Sequence, residues 1–147
     1  MIPSRTTRWQ GHDPCRSACE CQLVDVLNTL HLEPIVILNE PIQGRTVIEQ
    51  IEEPSDVGFA LVLFTPDDRG CLAGSKEIRL RPRQNVVLEY GLFVGWLGRH
   101  RVCCVAPSSS IELPSDLAGV LQLRYQTAIT EIQAQIRQEL FGAGYTC

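Results

Sequence analysis

Glu89 is the strongest candidate among the residues whose side chains could take part in a reaction. Segment 86–98 reads VVLEYGLFVGWLG, and Glu89 is its only charged residue. Because the segment is apolar on nearly every face of a helix, we expect that helix to be largely buried. An ionised carboxylate there is costly unless it is paired or faces a polar cleft. Two explanations stay open. In the structural one, Glu89 is exposed at the edge of the helix or forms an ion pair with Arg83, Arg81 or Arg45. In the functional one, it lines a cleft because a substrate needs a carboxylate there.

Other polar residues are weaker candidates. Asp67 ends a strand-like run, where it either caps the next turn or faces a pocket. Arg81 alternates with Arg79 and Arg83 in a stretch that suits either phosphate contacts or a solvated basic loop. The sequence contains neither G-x-G-x-x-G nor a Walker A motif. A dinucleotide is therefore expected only as a substrate, without the usual cofactor fingerprint.

Composition narrows the class of protein. The 147 residues fit one domain, with 44% hydrophobic and 20% charged residues, as in ordinary globular proteins. The net charge of −4 gives no reason to expect nucleic acid or an anionic membrane as a partner. No apolar run approaches the roughly 20 residues that span a bilayer. The polar N-terminus lacks a secretory signal, so a cytoplasmic location is expected.

The seven cysteines do not resemble a disulfide framework, because their number is odd and two of them are adjacent. Cys15, Cys19 and Cys21 form C-x3-C-x-C, but no second pair with zinc-finger spacing follows. We therefore expect reduced, partly buried thiols and neither a metal nor a bound cofactor.

Strand-like and helix-like segments alternate along the chain. Continuous apolar runs are typical of strands covered on both faces, and helices between strands favour a parallel sheet with right-handed crossovers. Ligands of such sheets bind beyond the carboxyl ends of the strands. Strands are predicted over 34–40, 59–65, 102–106 and 120–125, and helices over 15–30, 46–53, 83–97 and 127–140.

Five phrases occur in an order and spacing that together are specific. They are GHD at 11–13, LEPIVILNEPIQGRTVIEQIEE at 32–53, SDVGFALVLFTPDDRG at 55–70, RPRQNVVLEYGLFVGWLGRHRVCCV at 81–105, and ELPSDLAGV at 112–120. Together they resemble the bacterial TIR-like domains, the predicted nucleotide-binding effector domains of STING-type and cyclic-nucleotide anti-phage systems.

The resemblance implies a flavodoxin-like, doubly wound α/β fold with five parallel strands in the order 2-1-3-4-5. The TIR-like domain is expected over 11–147, after a poorly matching segment over 1–10. Residues 5–10, RTTRWQ, stand where the family has its apolar first strand. An interior strand suits such residues badly, so the first strand is expected to be weak or missing.

The resemblance also implies an activity, because active family members cleave NAD+ between nicotinamide and ribose. Glu89 matches the family's catalytic glutamate. Cationic nicotinamide leaves as a neutral base without protonation, so one carboxylate that stabilises the oxocarbenium-like ribose is enough. The expected substrate-binding residues are His12, Asp13, Gly44, Arg45, Asp67, Arg81 and Asn85.

Partners follow from the same resemblance. We expect self-association into dimers or filaments, and a sensor domain or protein supplied by another part of the chain or operon. The sequence as it stands carries no sensor domain after the TIR-like region. Two alternatives to the enzyme stay open: a non-catalytic TIR-like scaffold, and a nucleotide-binding signalling module.

Overall fold

A computed structural model describes residues 17–37, 49, 57–109, 111–120 and 122–146. The chain divides into two compact units, one built from residues 1–57 and 128–147 and the other from residues 58–127. The helices of the described part are α1 (Ala18–Thr29), α2 (Gln84–Leu97) and α3 (Gln133–Gly142), and its strands are β1 (Ala60–Leu63), β2 (Asp68–Gly70), β3 (Arg79–Arg81), β4 (Val102–Pro107) and β5 (Gln122–Tyr125).

The unit of residues 58–127 is built on a parallel sheet in the order β1-β4-β5. Ala60 pairs with Val102 at one side of β4, and Cys104 pairs with Gln122 at the other. Residues 102–106 are all buried, because the central strand is covered on both faces. The carboxyl ends of the three strands share one edge of the sheet, where a doubly wound fold places its ligand.

The predicted α/β class with a parallel sheet is confirmed. The runs 59–65, 102–106 and 120–125 form β1, β4 and β5, which lie side by side as the last three strands of the predicted order do. The complete order 2-1-3-4-5 stays a prediction. Residues 34–37 of the predicted strand 34–40 are not in a strand, and its remainder lies outside the described residues.

Helix α2 packs one face against β1 and β4. Tyr90 and Phe93 are buried on that face, and the Tyr90 ring meets Phe64 edge-on at 5.6 Å between ring centroids. The expectation of a largely buried helix is wrong, because Leu88 is 55% exposed and Trp96 is 43% exposed. Uniform hydrophobicity cannot show that the sheet covers only one side of the helix.

A hairpin of β2 and β3 was not predicted. The strands are antiparallel, and Asp68 pairs with Arg81. Leu80 also bridges to Ile111 on its other side, where the Glu112 N–H donates to the Leu80 carbonyl oxygen at 2.8 Å. The hairpin therefore connects to the segment that follows β4.

The other unit is helical in its described part. The Ser17 hydroxyl caps α1 by accepting from the Glu20 N–H at 3.2 Å. The helix predicted over 127–140 occurs as a 3-10 turn, Ile129–Ile132, that continues into α3. Its predicted apolar stripe is confirmed, and its buried members are Ile129, Ile132, Ile136 and Leu140. The helix 46–53 lies, apart from residue 49, outside the described residues.

Cys21, Cys71 and Cys104 carry free thiols. Cys103 and Cys104 are buried in β4, as expected for thiols that act as small hydrophobic groups, and burial raises the pKa of Cys104 to about 12. Among the described residues no group of three or more His, Cys, Asp or Glu side chains is arranged to hold a metal. None of the helices in the described part of the chain is long and apolar enough to cross a membrane.

Candidate functional site

Glu89 lies in the middle of α2, half-buried beside the inward-facing Tyr90. Burial raises the pKa of its carboxyl to about 6, since the ionised form loses contact with water. Within the described part of the chain Glu89 makes no ion pair. It is therefore an ionisable group in an apolar setting whose charge is only partly solvated.

Two of the three arginines proposed as structural partners of Glu89 belong to the described residues. Arg81 pairs with Glu112. Arg83 is exposed at the N-cap of α2, and Arg45 lies outside the described residues. The ion-pair explanation of Glu89 therefore has no support from the two arginines that the structure describes.

Asn85 lies one helical turn before Glu89, so the two side chains share a face of α2. Asn85 is exposed and belongs to the first turn, where no side chain caps the backbone N–H groups. Unpaired N–H groups at a helix start favour an acceptor or a negative charge. This end of α2 thus offers donors next to a carboxylate.

Asp67 follows β1 at the carboxyl edge of the sheet. Its Oδ2 accepts from the Thr65 hydroxyl at 2.6 Å, and its N–H donates to the Thr65 carbonyl oxygen at 2.9 Å. Asp67 closes a local turn and is also exposed at the edge where a ligand would bind. Both interpretations of Asp67 therefore remain.

Arg81 lies at the end of the hairpin. Its Nε donates to Glu112, which Arg79 also approaches at 3.7 Å between Nη1 and Oε1. A Cβ atom at Gly70 would lie only 2.7 Å from Arg81 Nη1, so the guanidinium rests directly over that glycine. The second carboxylate near Arg79, Glu77, is more exposed and pairs with it at 3.0 Å.

Tyr90 brings a buried hydroxyl to the inner face of α2. The phenol oxygen has no hydrogen-bond partner in the described structure. Burial raises the pKa of Tyr90, and the nearby Cys104 and Cys103 thiols act in the same direction. The hydroxyl is a polar group held at a cost, directly next to Glu89 in the sequence.

The predicted site residues fall into three groups. Asn85 and Glu89 come together on α2. Asp67 and Arg81 lie on the hairpin side of the same unit, since Asp68 is paired with Arg81. The remaining residues, which are His12, Asp13, Gly44 and Arg45, lie outside the described residues.

Sequence reasoning did not single out Glu112 or Gly70. Gly70 is separated in sequence from the alternating arginines at 79, 81 and 83, so no local signal connects it with Arg81. Nothing in one sequence connects Glu112 with an arginine 31 positions away.

An open groove of about 680 Å³ lies in the helical unit, and none of its described lining residues is a predicted site residue. Leu30, Gln133 and Phe141 are among these lining residues.

Taken by architecture alone, the unit of residues 58–127 is a parallel α/β sheet with a desolvated glutamate on the helix that follows β3. Residues 12–127 match the family described as CAP12/Pycsar effector protein, TIR domain. The match covers more than half of the chain, so the chain belongs to this family, and the resemblance to bacterial TIR-like effector domains is confirmed.

Several curated proteins are similar to this chain. It is 50% identical over 96 residues to Uncharacterized protein YuaY of Escherichia coli (strain K12), a match that covers 65% of this chain and 32% of that protein. It is 32% identical over 114 residues to Protein tirC of Dictyostelium discoideum, with coverages of 71% and 57%. It is 39% identical over 92 residues to Pycsar effector protein PaPycTIR of Pseudomonas aeruginosa, with coverages of 61% and 29%. The matches therefore span 29% to 57% of the lengths of these relatives.

Proposed function

We propose that this chain is an NAD+-cleaving TIR domain and that Glu89 is its catalytic carboxylate. The observation that carries the proposal is the state of Glu89: half-buried, without an ion pair in the described part of the chain, and with a pKa raised to about 6 by burial. A protein keeps such a group at a cost to its stability when a ligand needs it. Membership of a TIR effector family supports the proposal, because active members of the TIR-like domains that this chain resembles cleave NAD+.

The proposed reaction breaks the bond between the nicotinamide nitrogen and the ribose anomeric carbon. Nicotinamide leaves with the bonding electron pair as a neutral base, and water adds to the carbon and loses a proton, which yields ADP-ribose. The Glu89 carboxylate stabilises the positive charge that develops on the ribose and accepts hydrogen bonds from its hydroxyls. With a pKa near 6, Glu89 is mostly ionised at neutral pH, as this role requires.

The substrate-binding roles extend this proposal to further residues. Asn85 is one turn from Glu89 and suits a ribose hydroxyl or a phosphate oxygen at the uncapped start of α2. Asp67 contributes from the carboxyl edge of the sheet, whereas Arg81, which is paired with Glu112, acts from the hairpin through its position. The family resemblance adds His12, Asp13, Gly44 and Arg45 as pocket residues. NAD+ is the substrate here, and no cofactor is invoked.

The wider setting is proposed from the relatives. The Pseudomonas aeruginosa relative is named a Pycsar effector, and a Lachnospiraceae relative is named CD-NTase-associated protein 12. By analogy, we place this chain in an anti-phage effector that acts in the cytoplasm. A sensor that responds to a nucleotide signal would gather copies of the domain, and the clustered copies would cleave NAD+.

The test is release of nicotinamide from NAD+ by purified protein, alone and clustered at high concentration in crowded solution. We expect slow release alone and faster release on clustering. Glu89→Gln should lower the rate at least about a hundredfold, the usual effect of losing one group that stabilises transition-state charge. Glu77→Gln is the matched control, since it removes an exposed carboxylate, and it should retain the wild-type rate.

The outcomes separate the possible functions. If the folded, clustered wild type releases no nicotinamide yet binds NAD+, the domain is a nucleotide-binding signalling module. If it neither binds nor cleaves NAD+, the scaffold interpretation holds. Equal rates for wild type and Glu89→Gln would remove Glu89 from the catalytic role.

A further inference from the structure

We propose that Glu112 is a positioning residue for the reaction, and that it acts by clamping Arg81 over Gly70. The three residues Gly70, Arg81 and Glu112 are called the hairpin clamp below. Its effect on turnover rests on the proposed function of Glu89, whereas its effect on the structure does not.

The clamp begins with two contacts that Glu112 makes to adjacent residues of β3. Its carboxylate pairs with Arg81, and each of the two side chains is about one-third exposed or less, at 26% and 32%. Its backbone N–H donates to the Leu80 carbonyl oxygen at 2.8 Å. Glu112 thus binds β3 through both its side chain and its backbone. Ile111, which precedes it, is only 8% exposed and anchors the segment that carries Glu112. A charge-assisted pair with reduced solvent access is stronger than an exposed one.

Gly70 completes the clamp because it leaves room for the Arg81 side chain. A Cβ atom at position 70 would lie 2.7 Å from Arg81 Nη1, 3.0 Å from Cζ and 3.2 Å from Cδ. A free arginine would swing away at little cost, but this one is tied to Glu112. Alanine at position 70 therefore has to displace the guanidinium and loosen its pairing.

The clamp connects two chain segments that border the proposed site. Glu112 lies in the segment that leaves the carboxyl end of β4, which ends at Pro107. Arg81 ends β3, and the buried Pro82 and the N-cap Arg83 lead directly into α2. Glu89 is on that helix, so movement of β3 away from Glu112 moves the start of the helix that carries it.

Arg81 therefore acts by holding the start of α2, and with it Glu89, in place, and not by contacting a phosphate. Its Nε–H already donates to Glu112, so a phosphate would have to share one guanidinium with that carboxylate and meet its negative charge. A displacement of about 1 Å in a reacting group lowers rates by as much as about a hundredfold. Loss of the clamp should therefore appear in kcat, whereas loss of a direct phosphate contact should appear in KM.

The kinetic test compares Glu112→Gln and Gly70→Ala with the wild type in nicotinamide release. We expect kcat to fall about tenfold to about a hundredfold in both variants, with KM for NAD+ within about twofold of wild type. Glu77→Gln is the control for Glu112, because it removes the other carboxylate that approaches Arg79. Gly142→Ala is the control for Gly70, because a Cβ there meets nothing within 4 Å. Both controls should keep the wild-type kcat.

Arg81→Gln separates the two roles of the arginine. If Arg81 positions Glu89, its kcat falls as in Glu112→Gln, and the double variant is no slower than either single one. A tenfold or larger rise in KM with unchanged kcat would overturn the proposal in favour of direct phosphate binding. Wild-type kcat in Glu112→Gln would overturn it as well.

Hydrogen exchange of the α2 amides gives a readout that does not depend on activity. In Glu112→Gln, the amides of residues 86–89 should exchange faster than in wild type, while those of α1 should not change. Unchanged exchange in α2 would contradict the clamp even if NAD+ is cleaved. Faster exchange in a protein that cleaves no NAD+ would leave the clamp standing and remove the proposed function.

Discussion

The unit of residues 58–127 holds two glutamates in opposite electrostatic settings. Glu112 follows β4 and is paired with Arg81, with Arg79 nearby, so its charge is compensated. Glu89 lies on α2 and makes no ion pair within the described residues, and burial raises its pKa to about 6. Glu112 thus stabilises the hairpin that it contacts, whereas the desolvated charge of Glu89 lowers the stability of the fold.

The contrast separates the contributions of the two carboxylates to stability. Removing the charge of Glu112 leaves Arg81 without this carboxylate partner, which should destabilise the fold. Removing the charge of Glu89 takes away a desolvated anion, which should stabilise it. A group that lowers stability where it stands is the usual mark of a functional residue. The predictions below are ordered from the largest expected change in stability to the smallest.

The largest change is expected for Glu112→Gln. We expect a loss of about 1–2 kcal/mol in the free energy of unfolding, because a partly buried hydrogen bond between charged groups is broken. Urea unfolding at pH 7.5 measures it, and a double-mutant cycle with Arg81→Gln isolates the pair. The exposed Glu77→Gln should unfold as wild type does, and an equal loss in both variants would show that the clamp pair is an ordinary surface pair.

A gain in stability is expected for Glu89→Gln. The folded pKa near 6 exceeds the unfolded value of 4.5, so ionisation above pH 6 opposes folding. At pH 7.5 glutamine should therefore add about 1 kcal/mol, a figure reduced from the full pKa shift because half of the side chain stays in water. The gain should shrink through pH 6 and vanish below pH 4.5, where the carboxyl is protonated in both states. A loss of stability at pH 7.5 would reveal a cationic partner for Glu89.

The smallest change is expected for Tyr90→Phe, on the inward face of α2. The Tyr90 hydroxyl is buried without a hydrogen-bond partner in the described structure. Its removal should leave stability unchanged or raise it by up to about 1 kcal/mol, since no bond is lost and an unsatisfied polar group disappears. Thermal unfolding of the two proteins measures the difference. A clear drop in the melting temperature would show that the hydroxyl has a partner in solution.

Local pattern was enough to predict the central strands, the amphipathic stripe of α3 and the unusual position of Glu89. Each depends on the order of apolar and charged residues within one short segment. The burial of α2 was overestimated, because hydrophobicity alone does not say which side of a helix meets the sheet. Leu88 and Trp96 are apolar and exposed.

Long-range pairings could not be predicted from the sequence. β2 and β3 are three residues each, too short for alternation to identify them. The contact of Arg81 with Glu112 joins residues 31 apart, and that of Arg81 with Gly70 depends on the hairpin register. Such contacts follow from tertiary structure, so a single sequence left Arg81 as a choice between phosphate binding and a solvated loop.

The pH dependence of kcat/KM for nicotinamide release tests the central claim about Glu89 most directly. This parameter reports the ionisation of the free enzyme. If Glu89 is the unpaired, desolvated catalytic carboxylate, kcat/KM rises with pH through an apparent pKa of about 6 and levels off above it. The apparent pKa in the profile of kcat should be lower than that in kcat/KM, because the cationic nicotinamide of bound NAD+ favours the ionised carboxylate of Glu89. A kcat/KM that stays flat between pH 5 and pH 8 in a protein that remains folded and active would contradict the account.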